Sequence, residues 1–152
     1  MRFLIAVIAV VILLTGSAEG ALTQPSNKTP AEIVHADKGA LLQIINNFLD
    51  TLRKGDTVTA YNHYTSQQFQ KNISLDNFKT LVAREPTLAQ NKLFQHRSFY
   101  IEDEIVSFEG DLISTTGVAV PVEFDFLMEG NEWKIMGLQL YQPEGLTLPD
   151  NN

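Results

Sequence analysis

The chain contains no cysteine. That absence removes thiol nucleophiles, disulfide frameworks, thiolate zinc sites and lipid attachment through an N-terminal cysteine. Histidine is scarce, and the three that exist, His35, His63 and His96, share no metal-ligand spacing, leaving a composite site from His63 and His96 as the one geometric option. No GxGxxG, phosphate loop, HExxH, GxSxG or EF-hand loop is present, so nothing in the sequence calls for a metal or a cofactor. There is no internal repeat. Bases are outnumbered, 11 Lys and Arg against 18 Asp and Glu, for a net charge of −7. Any chemistry is left to carboxylates, His, Tyr and hydroxyls.

What is present suits one globular domain. The 152 residues are 44% apolar and 19% charged, neither a disordered acidic tail nor a solenoid. A chain of this length buries roughly two-thirds of its unfolded surface, enough for one core without staples.

Residues 1–20 read as an export signal. Arg2 makes a short basic region, residues 3–14 are an unbroken apolar run, and small residues Ala18 and Gly20 permit cleavage after Gly20. A helix of those 12 apolar residues is about 18 Å long against about 30 Å of hydrocarbon, too short to span comfortably. The expectation is a periplasmic or extracellular protein with no stable membrane anchor after cleavage. Residues 21–34 form a polar leader that includes the possible start of a first helix. The domain proper occupies residues 35–142, and residues 143–152 a polar tail.

Helices come first. Thr29-Pro30-Ala31-Glu32 has the form of a capping box, with Pro at the first helical position. Ile33, Leu41, Ile44, Ile45, Phe48, Leu49 and Leu52 then recur on one helical face up to Arg53-Lys54-Gly55. Gly39 falls in the middle of that stretch and moves the expected ordered start toward Ala36. Asp56 can cap a second helix carrying Val58, Tyr61 and Tyr64 with a continuation through Phe69, and Ser74 a third carrying Leu75, Phe78, Leu81 and Val82, ended by Pro86.

From Phe99 the period drops to two. Val118, Val120, Val122, Phe124, Phe126 and Met128 alternate with mostly polar neighbours, Glu109-Gly110-Asp111 and Glu129-Gly130-Asn131 read as hairpin turns, and Gly137 reads as a bulge in a last strand over residues 133–141. The expected class is α+β, a single domain with N-terminal helices packed on one face of a curved antiparallel sheet.

This order, the Arg53-Lys54-Gly55-Asp56 break before Ala60-Tyr61, and the closing Gly130-Asn131-Glu132-Trp133-Lys134-Ile135 hairpin resemble the nuclear transport factor 2-like, cystatin-like cone superfamily. Thr65-Ser66-Gln67-Gln68-Phe69 followed by Ser74-Leu75-Asp76-Asn77-Phe78 is similar to small exported bacterial families of unknown function. The resemblance implies a sheet wrapped around a long helix, with a pocket that members use for small molecules, for dimerising, or for nothing obvious. Fold alone does not fix function.

The resemblance also implies that an enzyme of this type would place an acid or base and a hydroxyl donor inside the cone. The matching candidates are Asp103, in register with Ile101 and Ile105, and Tyr61 and Tyr64 on the second helix. The opposite register of Val106 and Phe108 leaves open a bulge that puts Asp103 in water. Phe48, Tyr61, Phe78, Phe99, Phe124, Phe126 and Trp133 are the candidates for lining a ligand pocket, or else they are simply the core.

Charge is divided along the chain. Residues 21–97 carry nine bases and six acids, a net of +3, whereas residues 98–152 carry Lys134 against eleven acids, a net of −10. An acidic sheet repels phosphate backbones and anionic lipid surfaces, which excludes nucleic-acid binding. It is either a solvated face that keeps the sheet soluble, or a docking surface for a basic protein or a second copy, so a homodimer stays open. The leading expectation is an exported, non-catalytic binding or accessory domain of the cell envelope, taking a protein partner or a small apolar ligand. The alternative is a small cone-type isomerase, dehydratase or hydrolase using Asp103 with Tyr61 or Tyr64.

Overall fold

A computed structural model of the chain describes residues 36–141. The expected export signal and Thr29–Glu32 capping box, Ile33, His35 and the tail over 143–152 lie outside the described residues.

Helix α1 (Lys38–Arg53) starts where Asp37 accepts a hydrogen bond from the Gly39 amide at 2.9 Å. Gly39 thus stands in the first turn, where its backbone freedom costs less than mid-helix. One face, Leu41, Ile45, Phe48, Leu49 and Leu52, is fully buried. Gly55, at φ +79°, lets the chain turn back after the helix.

Asp56 caps α2 (Thr57–Tyr64) by accepting from the Thr59 amide at 3.0 Å. The helix does not continue through Phe69. Thr65 and Ser66 are extended, Thr65 forms a parallel bridge to Ile135, and the Ser66 amide donates to the Ile135 carbonyl at 2.8 Å. The hydroxyls hold the break: Thr65 donates to the Tyr61 carbonyl at 2.6 Å, and Ser66 caps α3 (Gln67–Asn72) through the Phe69 amide. Val58, expected on the apolar side of this helix, is exposed.

Ser74 caps α4 (Leu75–Arg84), which buries Phe78 and Val82. Pro86 does more than end α4, because it opens a short helix α5 (Pro86–Ala89) from the position where its missing N–H costs nothing.

The sheet is a four-stranded antiparallel meander of β1 (Asn91–Glu102), β2 (Ile105–Ser114), β3 (Ala119–Glu129) and β4 (Glu132–Leu140), in that spatial order. β1 begins eight residues before Phe99. It is an edge strand with register shifts at Asn91/Leu93 and His96/Ser98; Lys92 and Leu93 are both exposed, and Gln95 and Arg97 alternate with neighbours that are only half-buried, so the strand lacks a strong apolar period in sequence.

The Glu109-Gly110-Asp111 turn is not formed. Gly110 lies in mid-β2, opposite His96 on one side and Val122 on the other. A Cβ there would meet the Gln95 carbonyl oxygen at 2.5 Å and the Phe94 ring at 2.5 Å, so the glycine serves close packing. The β1–β2 turn falls at Asp103-Glu104 instead. The turn at Gly130 is formed, at φ +63°, and Gly137 flanks a bulge, the register passing from Asp125↔Gly137 to Phe126↔Ile135.

Helix α1 packs against β1, α5 against β1 and β2, and α3 against β4 at the sheet edge. Phe108, Leu112, Val122, Phe124, Phe126 and Ile135 project from the strands into the helix side and are fully buried. Phe48 meets Phe124 edge-on at 6.2 Å between ring centres, and Phe78 closes on Tyr61 at 5.5 Å. Burying rings of this size supplies most of the apolar stabilisation available to such a domain. No described element covers the opposite, open face.

Candidate functional site

The expected acid and tyrosine set is not assembled. Asp103 sits in the exposed β1–β2 turn at φ +54°, a conformation that Asp tolerates better than most residues. Ile101 and Ile105 flank that turn; neither stands beside Asp103 on a buried face. Tyr61 is buried, with its hydroxyl donating to the carbonyls of Ile73 at 2.7 Å and Gln70 at 3.2 Å, which ties α2 to the end of α3. Tyr64 is half-buried, edge-on to Phe48 and to the His63 ring.

Most of the pocket candidates fill the interior. Phe48, Phe78, Phe124 and Phe126 have no exposed surface. Phe99 is half-buried against Phe108 at 4.9 Å, with the Lys38 ammonium 6.0 Å from its ring centre. His96 packs beside Phe108 on β1. Trp133 and Tyr64 line open space.

That space is a solvent-open cleft of about 310 Å³ walled by Ile44 and Asn47 of α1, His63 and Tyr64 of α2, and Glu132, Trp133 and Lys134 of β4. The Thr65–Ile135 bridge creates it by drawing the end of α2 against the edge of β4. Lys134 Nζ donates to the His63 carbonyl at 2.7 Å, answering a free carbonyl at the helix C-terminus, and pairs with Glu132 at 2.8 Å. That hydrogen bond and charge hold the Glu132 carboxyl below the usual carboxylate range.

The open face carries a second constellation. Glu109, Glu123 and Asp125 stand in adjacent register on β2 and β3, and each is clamped by hydroxyls. Glu123 accepts from the Tyr100 hydroxyl on one oxygen and from the Tyr141 hydroxyl at 2.6 Å on the other. Ser98 donates to Glu109 at 2.6 Å, and the buried Ser107 hydroxyl donates to Asp125 at 2.6 Å. Gly137 leaves room for this arrangement, since a Cβ there would meet Asp125 Oδ2 at 2.5 Å. The acid-rich second half signalled this face in sequence; the serine and tyrosine partners did not show, because only strand register brings them together.

The model of a family described as a domain of unknown function, DUF4864, matches residues 34–148. The chain belongs to the DUF4864 family. No curated protein matches it. Among solved structures, this DUF4864 chain is similar to a Campylobacter jejuni protein named provisionally as an NTF2-like transpeptidase, at 15% identity and TM-score 0.48, over 65% of this chain and 97% of that one. It is also similar to a de novo designed NTF2 fold protein, at 15% identity and TM-score 0.44, over 72% of this chain and 90% of that one.

The electrostatics of the DUF4864 open face follow from its hydrogen bonds. Donation to Glu123 pushes the Tyr100 and Tyr141 hydroxyls up to about 12, since losing either proton would set a phenolate against a carboxylate. Burial pushes the Asp125 carboxyl up, the Ser107 hydrogen bond opposes it, and the Glu123 charge adds to it. Clamped carboxylates flanked by exposed tyrosine rings can receive ammonium or guanidinium groups through charge and ring faces together. Among the described residues no group of three or more His, Asp or Glu can hold a metal ion, and no helix is long and apolar enough to cross a membrane.

Proposed function

We propose that this DUF4864 chain is an exported, non-catalytic binding domain of the cell envelope that docks a basic surface of a protein partner on its open sheet face. The observation that carries this reading is that face itself: uncovered by any described element, with Glu109, Glu123 and Asp125 held in place by four hydroxyls. Prepositioned side chains lose little freedom on binding, so their charge is available for recognition. Export is supported by the basic, apolar and small-residue pattern of residues 1–20.

The reading is tested by titrating a lysine- and arginine-rich peptide into isotope-labelled chain. Expected are amide shifts concentrated on residues of β2 and β3, weakening as salt rises, and largely lost in the Glu109→Gln, Glu123→Gln double variant. Shifts scattered over the whole surface, or untouched by the double variant, would remove the proposal. N-terminal sequencing of chain recovered from its producing cell tests export, a start at Ala21 being expected.

A further inference from the structure

The Trp133 cleft lies at the edge of β4, where Trp133 faces the helices, and it shares no residue with the Glu109, Glu123 and Asp125 set. Its walls divide by chemistry. Trp133, Tyr64 and Ile44 supply flat and aliphatic surface, while Lys134, His63 and Asn47 supply hydrogen-bond donors, and Glu132 is the one wall residue that can only accept. The Lys134 side chain is 18% exposed and anchored to the His63 carbonyl, whereas its partner Glu132 is 70% exposed. A fixed ammonium is therefore paired with a carboxylate that can swing into water.

We infer that this cleft binds a small organic carboxylate whose apolar body lies against Trp133 and whose head group replaces Glu132 at Lys134. Size supports a single ring or a short chain, since about 310 Å³ is at the small end of the roughly 300–1,000 Å³ range of ligand pockets. Charge supports a monoanion. The helix end nearest the cleft, the C-terminus of α2, disfavours a dianion more strongly than a monoanion, and a single ammonium offers one contact.

Trp133 is the only tryptophan in the chain, so indole fluorescence reports on this cleft alone. The test titrates the full chain with phenylacetate, phenylacetamide and phenylethylamine, with amide shifts as a second readout. Phenylacetate is expected to change Trp133 emission saturably in the millimolar range, with the neutral amide about tenfold weaker because a charge-assisted hydrogen bond is lost. Glu132→Gln removes the internal competitor and is expected to tighten phenylacetate binding about threefold, while Lys134→Met abolishes it. Because Glu132 is exposed, its variant keeps the fold and the test stands even if Lys134→Met unfolds. Equal or tighter binding of the amide or the amine, unchanged affinity in Glu132→Gln, or no saturable change would overturn the inference. None of these outcomes bears on the open face, so the two readings fail separately.

Discussion

Replacing Gly110 by alanine tests whether β2 runs unbroken through the Glu109-Gly110-Asp111 triplet. The added Cβ would lie 2.5 Å from the Gln95 carbonyl oxygen and 2.5 and 2.7 Å from two ring carbons of Phe94. Ordinary carbon contacts need about 3.5–4.0 Å, so the gap must open by about 1 Å. The oxygen belongs to the backbone of the paired strand, and the Phe94 ring is itself set edge-on against Phe124 at 5.5 Å, so neither can turn away. Overpacking of this kind costs about 1–3 kcal/mol, and an immovable backbone atom puts Gly110→Ala at about 3 kcal/mol. For a domain of about 100 residues that lowers Tm by roughly 12–24 °C. Urea unfolding followed by circular dichroism gives the stability, with an unchanged slope showing that the native fold persists. Gly117→Ala is the control: at φ +86° with nothing within 4 Å of the added carbon, it costs only backbone strain, about 1 kcal/mol. Equal losses at Gly110 and Gly117 would refute the strand placement, since a glycine in an open turn pays only the second cost. A Phe94→Ala background that recovers about 1 kcal/mol or more of the Gly110→Ala loss would identify the ring as one of the two obstacles.

Asp125→Asn is expected to be neutral or stabilising near pH 7, because the amide oxygen still accepts from Ser107 and no charge is buried. The sign follows from the raised carboxyl: the native state holds its proton above the ordinary 3.8, so ionisation costs stability above the folded value, and the gain of the variant fades below about pH 4. Paired urea titrations at both pH values check this, and a gain that grows on acidification would contradict it. Ultraviolet titration of the tyrosines is expected to show two groups ionising near 12, Tyr100 and Tyr141, both returning toward 10 in Glu123→Gln. Phe124→Ala removes a fully buried ring that meets Phe48, Phe94 and the core, and a loss of about 3–5 kcal/mol is expected by denaturant unfolding. Asp56→Ala removes the hydrogen bond to the Thr59 amide and should cost about 1 kcal/mol, whereas Asp56→Ser should restore most of it.

The local part of the fold was legible in the amino acids. Asp56 and Ser74 cap the helices they precede, the α1 stripe from Leu41 to Leu52 is the buried face, Gly130 makes its turn and Gly137 flanks its bulge. Each depends on a hydrogen bond or a spacing that spans a few residues, and such constraints are written in neighbouring positions. The class, helices followed by an antiparallel meander, rests on the same kind of signal, a period of 3.6 giving way to a period of two.

Tertiary structure alone decided what depends on residues distant in the chain. Gly110 between two acids reads as a turn, yet its reason is the Phe94 ring and the Gln95 carbonyl of the preceding strand, brought close by strand pairing. The helix break at Thr65-Ser66 exists because β4 offers Ile135 as a partner. The Trp133 cleft follows from that break, and the clamped carboxylates of the open face follow from register, since Tyr100 of β1 reaches Glu123 of β3 only across β2. Composition assigned the acids to the second half of the chain. Only the pairing of four strands determined that three of them would share one face, open among the described residues, with the hydroxyls that hold them.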